Sequence, residues 1–344
     1  LSFTHAAMAL AARTFAPLWP PTRPSAAPQR LRGRRGVVGR AATEVSVALP
    51  EGLTLGGQAW GARGRPILAL HGWLDNSNSF LQLAPHLASM GFLVVALDWP
   101  GHGRSGHRSR DATYAATDLP WYAAEAARRL GWTTYSVLGH SMGAAAATML
   151  AASQYPSEET LAATCCLELL GPLSRPAGRA SEQLKQALIG REKAIRRIER
   201  GPRKDYDSFD ACVAARLRGV QALPGDQRLH ATSARALCDR GAVRSEDGTW
   251  RFVHDVRLHT SSPQYYTEEQ VLALLQRISA PTLLIESDPA HPSAWPKPPR
   301  WSERKAAIST LQSCAIAGGH HLHLDPESAP AVAQKVAEFL QEIS

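Results

Sequence analysis

The chain has 344 residues, is 44% hydrophobic and carries a formal net charge of +8 at pH 7. That is long and apolar enough for one large buried core or two small ones. No run approaches the roughly 18 to 20 consecutive apolar residues a membrane-spanning helix needs, the longest candidate being the short, Ala-rich stretch around Ala144 to Ala152. Cys165, Cys166, Cys212, Cys238 and Cys314 are odd in number and form neither a Cys-x-x-Cys pair nor a paired spacing with His, which argues against a disulfide framework and a zinc site.

The charge is concentrated at one end. Residues 1–43 contain Arg13, Arg23, Arg30, Arg32, Arg34, Arg35 and Arg40, no Lys, and no acidic residue precedes Glu44, which leaves about +1 for everything downstream. A leader rich in Ala, Arg, Pro, Ser and Thr and lacking carboxylates has the composition of an organelle transit peptide, expected to be removed on import. Its Ser, Thr, Pro and Ala content points to the chloroplast, and its arginines leave the mitochondrion as the alternative. A basic arm on nucleic acid is the competing reading, but no interleaving of aromatic and basic residues follows it, so no nucleic-acid partner is expected.

Glu44 to Leu49 and Leu53 to Trp60 alternate polar and apolar residues around Pro50, Glu51 and Gly52, as a hairpin does. Short continuous apolar runs follow at Ile67 to Leu70, Phe92 to Leu97 and Tyr135 to Leu138, separated by helical stretches at Phe80 to Met90, Tyr114 to Leu130 and Met142 to Tyr155. Runs of that length, buried on both faces, predict a parallel sheet covered by helices. A further strand is predicted over Thr164 to Leu170. Residues 172–265 break the rhythm with charged helical patches such as Arg191 to Arg200 and read as an inserted, mostly helical cap. The alternation resumes with a helix at Glu268 to Arg277, strands at Thr282 to Glu286 and Leu311 to Ala317, and a helix from Glu327 to Ile343. The Pro-rich stretch His291 to Pro299 is a loop. Residues 44–171 and 266–344 are thus expected to form one α/β core.

The strongest local signal is Gly139-His140-Ser141-Met142-Gly143, directly after an apolar run and directly before an Ala-rich helix. In that context the two glycines relieve crowding in a sharp strand-to-helix turn that lifts the Ser141 hydroxyl above the sheet edge. The blander reading is a helix capped by Ser141. His71-Gly72-Trp73-Leu74-Asp75 follows the strand at Ile67 to Leu70, and its Trp73 amide can point to the same space as the Met142 amide, a pair suited to an oxyanion. His71 reads as a structural hydrogen-bonding residue. Asp98 to Ser105 reads as a tight Gly-rich turn, and no Gly-rich fingerprint or phosphate-binding Lys supports nucleotide chemistry, so no cofactor is expected.

Taken together, His71-Gly-Trp-Leu-Asp, Asp98-Trp-Pro-Gly-His-Gly-Arg-Ser105 and Gly139-His-Ser-Met-Gly143 resemble the α/β-hydrolase family over residues 44 to 344. His71 to Phe80, Glu168 to Pro172 and Ser262 to Leu284 look closest to the serine hydrolase-like subgroup. The resemblance implies Ser141 as nucleophile and a later acid and His in that order. His320, in Gly318-Gly319-His320-His321, matches the family's Gly-His, with His321 as its competitor. For the acid, the fold offers Glu168, a carboxylate at an apolar strand end where burial demands a partner, and Asp288, in Glu286-Ser287-Asp288-Pro289, where a turn residue is equally expected. The expected activity is esterase-like: hydrolysis of a carboxylic ester or related acyl bond of a small molecule through a Ser-His-acid triad and an acyl-enzyme intermediate. A small-molecule receptor with little turnover is the alternative on the same scaffold.

Overall fold

The computed structural model describes residues 42–155, 160–201 and 205–343. The leader read at 1–43 therefore lies, up to residue 41, outside the described residues. Thr43–Ala48 (β1), Thr54–Trp60 (β2), Arg65–Leu70 (β3), Ala84–Ser89 (α1), Phe92–Leu97 (β4), Leu119–Arg129 (α2), Thr134–His140 (β5), Met142–Ser153 (α3) and Thr160–Leu167 (β6) form the first half of the core. Ala180–Glu199 (α4), Phe209–Gln221 (α5), Ala231–Gly241 (α6) and the short strands Ala242–Arg244 (β7) and Trp250–Phe252 (β8) come next. Glu268–Leu275 (α7), Thr282–Ser287 (β9), Trp301–Ala307 (α8), Leu311–Ile316 (β10) and Ala329–Glu342 (α9) complete the chain.

Eight strands make one sheet in the order β1-β2-β4-β3-β5-β6-β9-β10. The β1/β2 and β2/β4 pairs are antiparallel and the other five are parallel. This is the mostly parallel, helix-flanked sheet of the α/β-hydrolase fold. Its strands are buried on both faces because each supplies two cores in alternation. Ile67, Ala69, Val94 and Ala96 face the side where Leu87, Val332, Val336 and Leu340 pack. Leu68, Leu70, Val95 and Leu97 face the side covered by Tyr122, Ala126, Ala147 and Leu150.

Several boundaries differ from expectation for local reasons. The first helix begins at Ala84, not Phe80, with Pro in its first turn, while Ser77–Phe80 forms a tighter 3₁₀ turn capped by the Asn76 side chain. β6 stops at Leu167 because Glu168 turns the chain at φ 70. The region expected to be mostly helical also contains the antiparallel β7–β8 pair, whose three-residue strands are too short for alternation to register. The pattern does not predict α8, whose seven residues follow closely on the Pro-rich loop.

The segment between β6 and α7 has its own apolar cluster of Cys212, Val213, Val220, Leu237, Cys238 and Ala242, to which Leu324 of the core contributes. Polar ties fasten it to the sheet. Arg240 of α6, buried, grips buried Asp98 (Nε to Oδ2 2.8 Å) and reaches Glu44 (2.7 Å) and the Gly57 carbonyl (3.2 Å). Asp98 also accepts from the amides of Ser77 (2.6 Å) and Arg104 (2.8 Å). The Asp98 to Ser105 loop is thus a structural turn. Asn76 and Asn78 donate to the Leu237 and Ala236 carbonyls at the end of α6.

Candidate active site

Between β5 and α3, Ser141 is held at φ 50, ψ −114, a conformation that L-residues avoid. Both flanking glycines are required there: a methyl group at Gly139 would collide with the Gly143 backbone, and one at Gly143 with the Leu70 carbonyl. The Ser141 amide donates to the Leu167 carbonyl (3.0 Å) and its carbonyl accepts from Ala145 (3.0 Å), so the backbone is pinned at both ends. Its side chain makes no capping bond to α3, which leaves half-buried Ser141 free of the structural duty that would explain a serine there.

The loop after β3 lies against this turn. A Cβ on Gly72 would sit 3.0 Å from His140 Nδ1 and 3.4 Å from Ser141 Cβ. The next amide, Trp73 N, donates to no other described residue. Met142 opens α3, and an amide in the first turn has no acceptor within its helix. His71 anchors this loop from below: its Nε2 accepts from the Trp99 amide (3.0 Å), leaving Nδ1 to donate to the Gly72 carbonyl (2.7 Å). Burial lowers its pKa to about 4 and keeps it neutral.

The two candidate acids have different surroundings. Asp288 Oδ1 accepts from the Ala290 amide (2.9 Å) in the turn that leaves β9, and it has no ion-pair partner among the described residues. Glu168 is wholly buried at the end of β6. Its carboxylate accepts from the Ser287 amide and from Ser287 Oγ (3.1 Å), and its Oε2 lies 3.6 Å from His320 Nδ1. Lys297 Nζ approaches its other oxygen at 3.6 Å.

His320 follows β10 and the Gly318-Gly319 pair. Its amide donates to Gln227 Oε1 (3.0 Å), its carbonyl accepts from His140 Nε2 (2.8 Å), and its ring stacks on Trp295 with centroids 3.9 Å apart. Trp295 is itself docked, its amide donating to Ser287 Oγ (3.2 Å), and Gln227 also donates to the Ser293 carbonyl (2.9 Å). The Pro-rich loop is irregular, yet it clamps the ring and the acid's hydrogen-bond partner together.

His321 faces another way. Its Nε2 lies 3.7 Å from Asp75 Oδ2, and His140 Nδ1 lies 3.9 Å from the same oxygen. Asp75, buried, also pairs with Arg216 of α5 and accepts from Ser79 Oγ (3.1 Å), and that oxygen is 2.9 Å from His323 Nε2. Desolvation, reinforced by the neighbouring imidazoles, drives His140 and His321 well below the usual histidine range and His323 to about 3. These three rings gather around the Asp75 carboxylate, His323 through Ser79, and burial favours their neutral form. No three His, Cys, Asp or Glu side chains among the described residues converge as metal ligands.

Nothing in the sequence pattern marks Ser287, Trp295, Gln227 or Arg216. Their types are unremarkable in pattern, and only the chain's path brings them to the sheet end. Asp75 carried a signal, a carboxylate two residues beyond an oxyanion-type amide.

A mostly parallel sheet with a strained serine turn after its fifth strand, and a histidine loop after its last, defines an α/β hydrolase, and residues 65–165 match the family model described as alpha/beta hydrolase fold. The chain is 32% identical to a serine hydrolase-like protein of Danio rerio over 310 residues, covering 88% of this chain and 89% of that one. It is 30% identical to a serine hydrolase-like protein of Dictyostelium discoideum over 305 residues, 87% and 82% of the two chains. The crystal structure of protein PA1622 from Pseudomonas aeruginosa PAO1 is similar at a TM-score of 0.75 and 32% identity, covering 87% of this chain and 99% of that one. The chain belongs to the serine hydrolase-like family of α/β hydrolases.

Proposed function

We propose that the protein hydrolyses a carboxylic ester or related acyl bond of a small molecule through Ser141, His320 and Glu168. His320 Nε2 takes the Ser141 proton as the oxygen attacks the carbonyl carbon, and Glu168 stabilises the imidazolium through Nδ1. The Trp73 and Met142 amides donate to the oxyanion of the tetrahedral intermediate. His320 then returns its proton to the leaving group, and an activated water releases the acyl group. The carrying observation is the buried Glu168 carboxylate facing His320 Nδ1, with the His320 ring centroid 4.7 Å from that of His140, the residue before Ser141 in the strained turn. Residues 172–265 act in this reading as the cap that limits substrate size. The leader directs the chain to the chloroplast, with the mitochondrion as alternative, and mapping the mature N-terminus in isolated organelles tests that.

A second reading draws on the 3.6 Å between His320 Nδ1 and Glu168, beyond a formed hydrogen bond. A receptor that binds a small molecule and turns it over slowly would tolerate such a gap, whereas in enzymes these contacts often close only with substrate bound. A fluorophosphonate probe separates the two. The hydrolase reading expects rapid labelling of the parent and none of Ser141→Ala, followed by turnover of members of an ester library. An unlabelled parent overturns it.

A further inference from the structure

Helix α4 shows the protein a narrow side of small residues. Ala187 and Ala194 are buried, a Cβ on Gly190 would lie 3.0 Å from Thr260 Cγ2, and Gln183 Nε2 donates to the Ser262 carbonyl (2.7 Å). The helix thereby lies close on the segment that includes the Val256–His259 turn. The apolar residues that would normally cover such a contact point elsewhere. Leu184, Leu188 and Ile195 are 49%, 59% and 46% exposed, and their spacing of four and seven puts them on one face of the helix.

The surrounding charge is one-sided. From Arg175 to Arg200 there are eight cations, Arg175, Arg179, Lys185, Arg191, Lys193, Arg196, Arg197 and Arg200, against Glu182, Glu192 and Glu199. Since residues 44–344 net only about +1, the rest of that span is net acidic. Glu182 and Glu192 are engaged by Arg179 and Arg196, while exposed Lys185 and Arg191, each within a quarter-turn of the apolar stripe, have no ion-pair partner among the described residues.

The helix also borders the candidate site. The Leu258 carbonyl, in the turn under α4, accepts from Trp73 Nε1 (3.0 Å), and Trp73 is 48% exposed. Trp73 supplies one of the two oxyanion amides proposed above.

We propose that α4 docks the protein on an anionic lipid bilayer, with Leu184, Leu188 and Ile195 at the acyl boundary and the flanking cations on the headgroup phosphates. An exposed apolar stripe with basic flanks is the composition that holds a helix in that interface. A second copy of the chain meeting the same face would set one basic segment against another. A nucleic acid would use the cations and leave the Leu and Ile side chains in water. Docking there brings the rim of the site to the membrane, which selects acyl lipids as substrates; that last step rests on the hydrolase reading, and the docking itself does not.

The test is flotation of the full chain with vesicles of phosphatidylcholine, with and without phosphatidylglycerol. The basic leader stays constant across variants. The parent should float with phosphatidylglycerol vesicles, and less as salt is raised. Lys185→Gln/Arg191→Gln should weaken binding by about thirtyfold, and Leu184→Ser/Leu188→Ser/Ile195→Ser by about tenfold or more, both with unchanged circular dichroism. The proposal is overturned if the parent does not float or if both variants float as the parent does. It is also overturned if sedimentation shows a parent dimer that the Ser variant dissolves. None of these readouts requires turnover, so a catalytically inert protein that floats as described would sink the hydrolase reading and leave the docking intact.

Discussion

Leu74, Ser141 and Glu168 are three of the five non-glycine residues with positive φ among the described residues, and all three belong to the candidate site. Each such conformation costs of order 1–3 kcal/mol and persists only where the surroundings impose it. The strain has a visible use at Glu168, where it turns a carboxylate from an apolar strand end toward Ser287 and His320. Glu168→Gln should therefore lower turnover by about 10⁴-fold while Asp288→Asn stays within about twofold of the parent, measured on one ester substrate. Equal losses, or a loss only in Asp288→Asn, would reassign the acid. Ser141→Ala and His320→Ala should each cost about 10⁴- to 10⁶-fold, with a residue of activity from the oxyanion donors.

At the scale of elements, the loop of residues 291–299 works as a positioning device despite having no regular structure. Trp295 stacks on His320, its amide meets Ser287 Oγ, and Gln227 ties the His320 amide to the Ser293 carbonyl. Trp295→Ala should lower kcat by roughly a hundredfold with little change in KM, since a small displacement of a catalytic ring costs that much, and Trp295→Phe should recover most of it. A Trp295→Ala enzyme with parental kcat would show that the stacking is incidental. The inserted segment depends on one buried ion pair in a comparable way. Arg240→Met leaves Asp98 buried without its cation and should cost about 3–5 kcal/mol in urea unfolding.

For the whole molecule, the histidines couple stability to pH. His71 is lowered to about 4, His102 and His323 to about 3, and His140 and His321 well below their ordinary value, with desolvation the largest cause in each. Folded, these rings stay neutral at pH values where the unfolded chain, titrating near 6.5, already takes up protons. The unfolded state thus binds more protons, and stability rises with pH through this window. It should be complete above about 6.5 and be lost progressively as pH falls toward 3, at up to about 1.4 kcal/mol per unit for each ring. Urea midpoints taken from pH 7.5 down to 4.5 check this, and a flat profile would mean the rings are not held neutral.

The order of strands and helices, the serine turn and the histidine loop were legible in the residues because they rest on local physics. Alternation and continuous apolar runs mark strands by their exposure, and a Gly-x-Ser-x-Gly turn needs its glycines wherever it occurs. That Glu168 meets His320, while His321 meets Asp75 and Asp288 has no ion-pair partner among the described residues, was not legible. The two acids are chemically equivalent, as are the two histidines, and what separates them is which side chain the sheet's crossovers bring to a common point. The same holds for Ser287, Trp295, Gln227 and Arg216, whose neighbours lie on other elements. Hydrophobic pattern fixes which elements form, and the distances among polar groups at their ends exist only once those elements have packed.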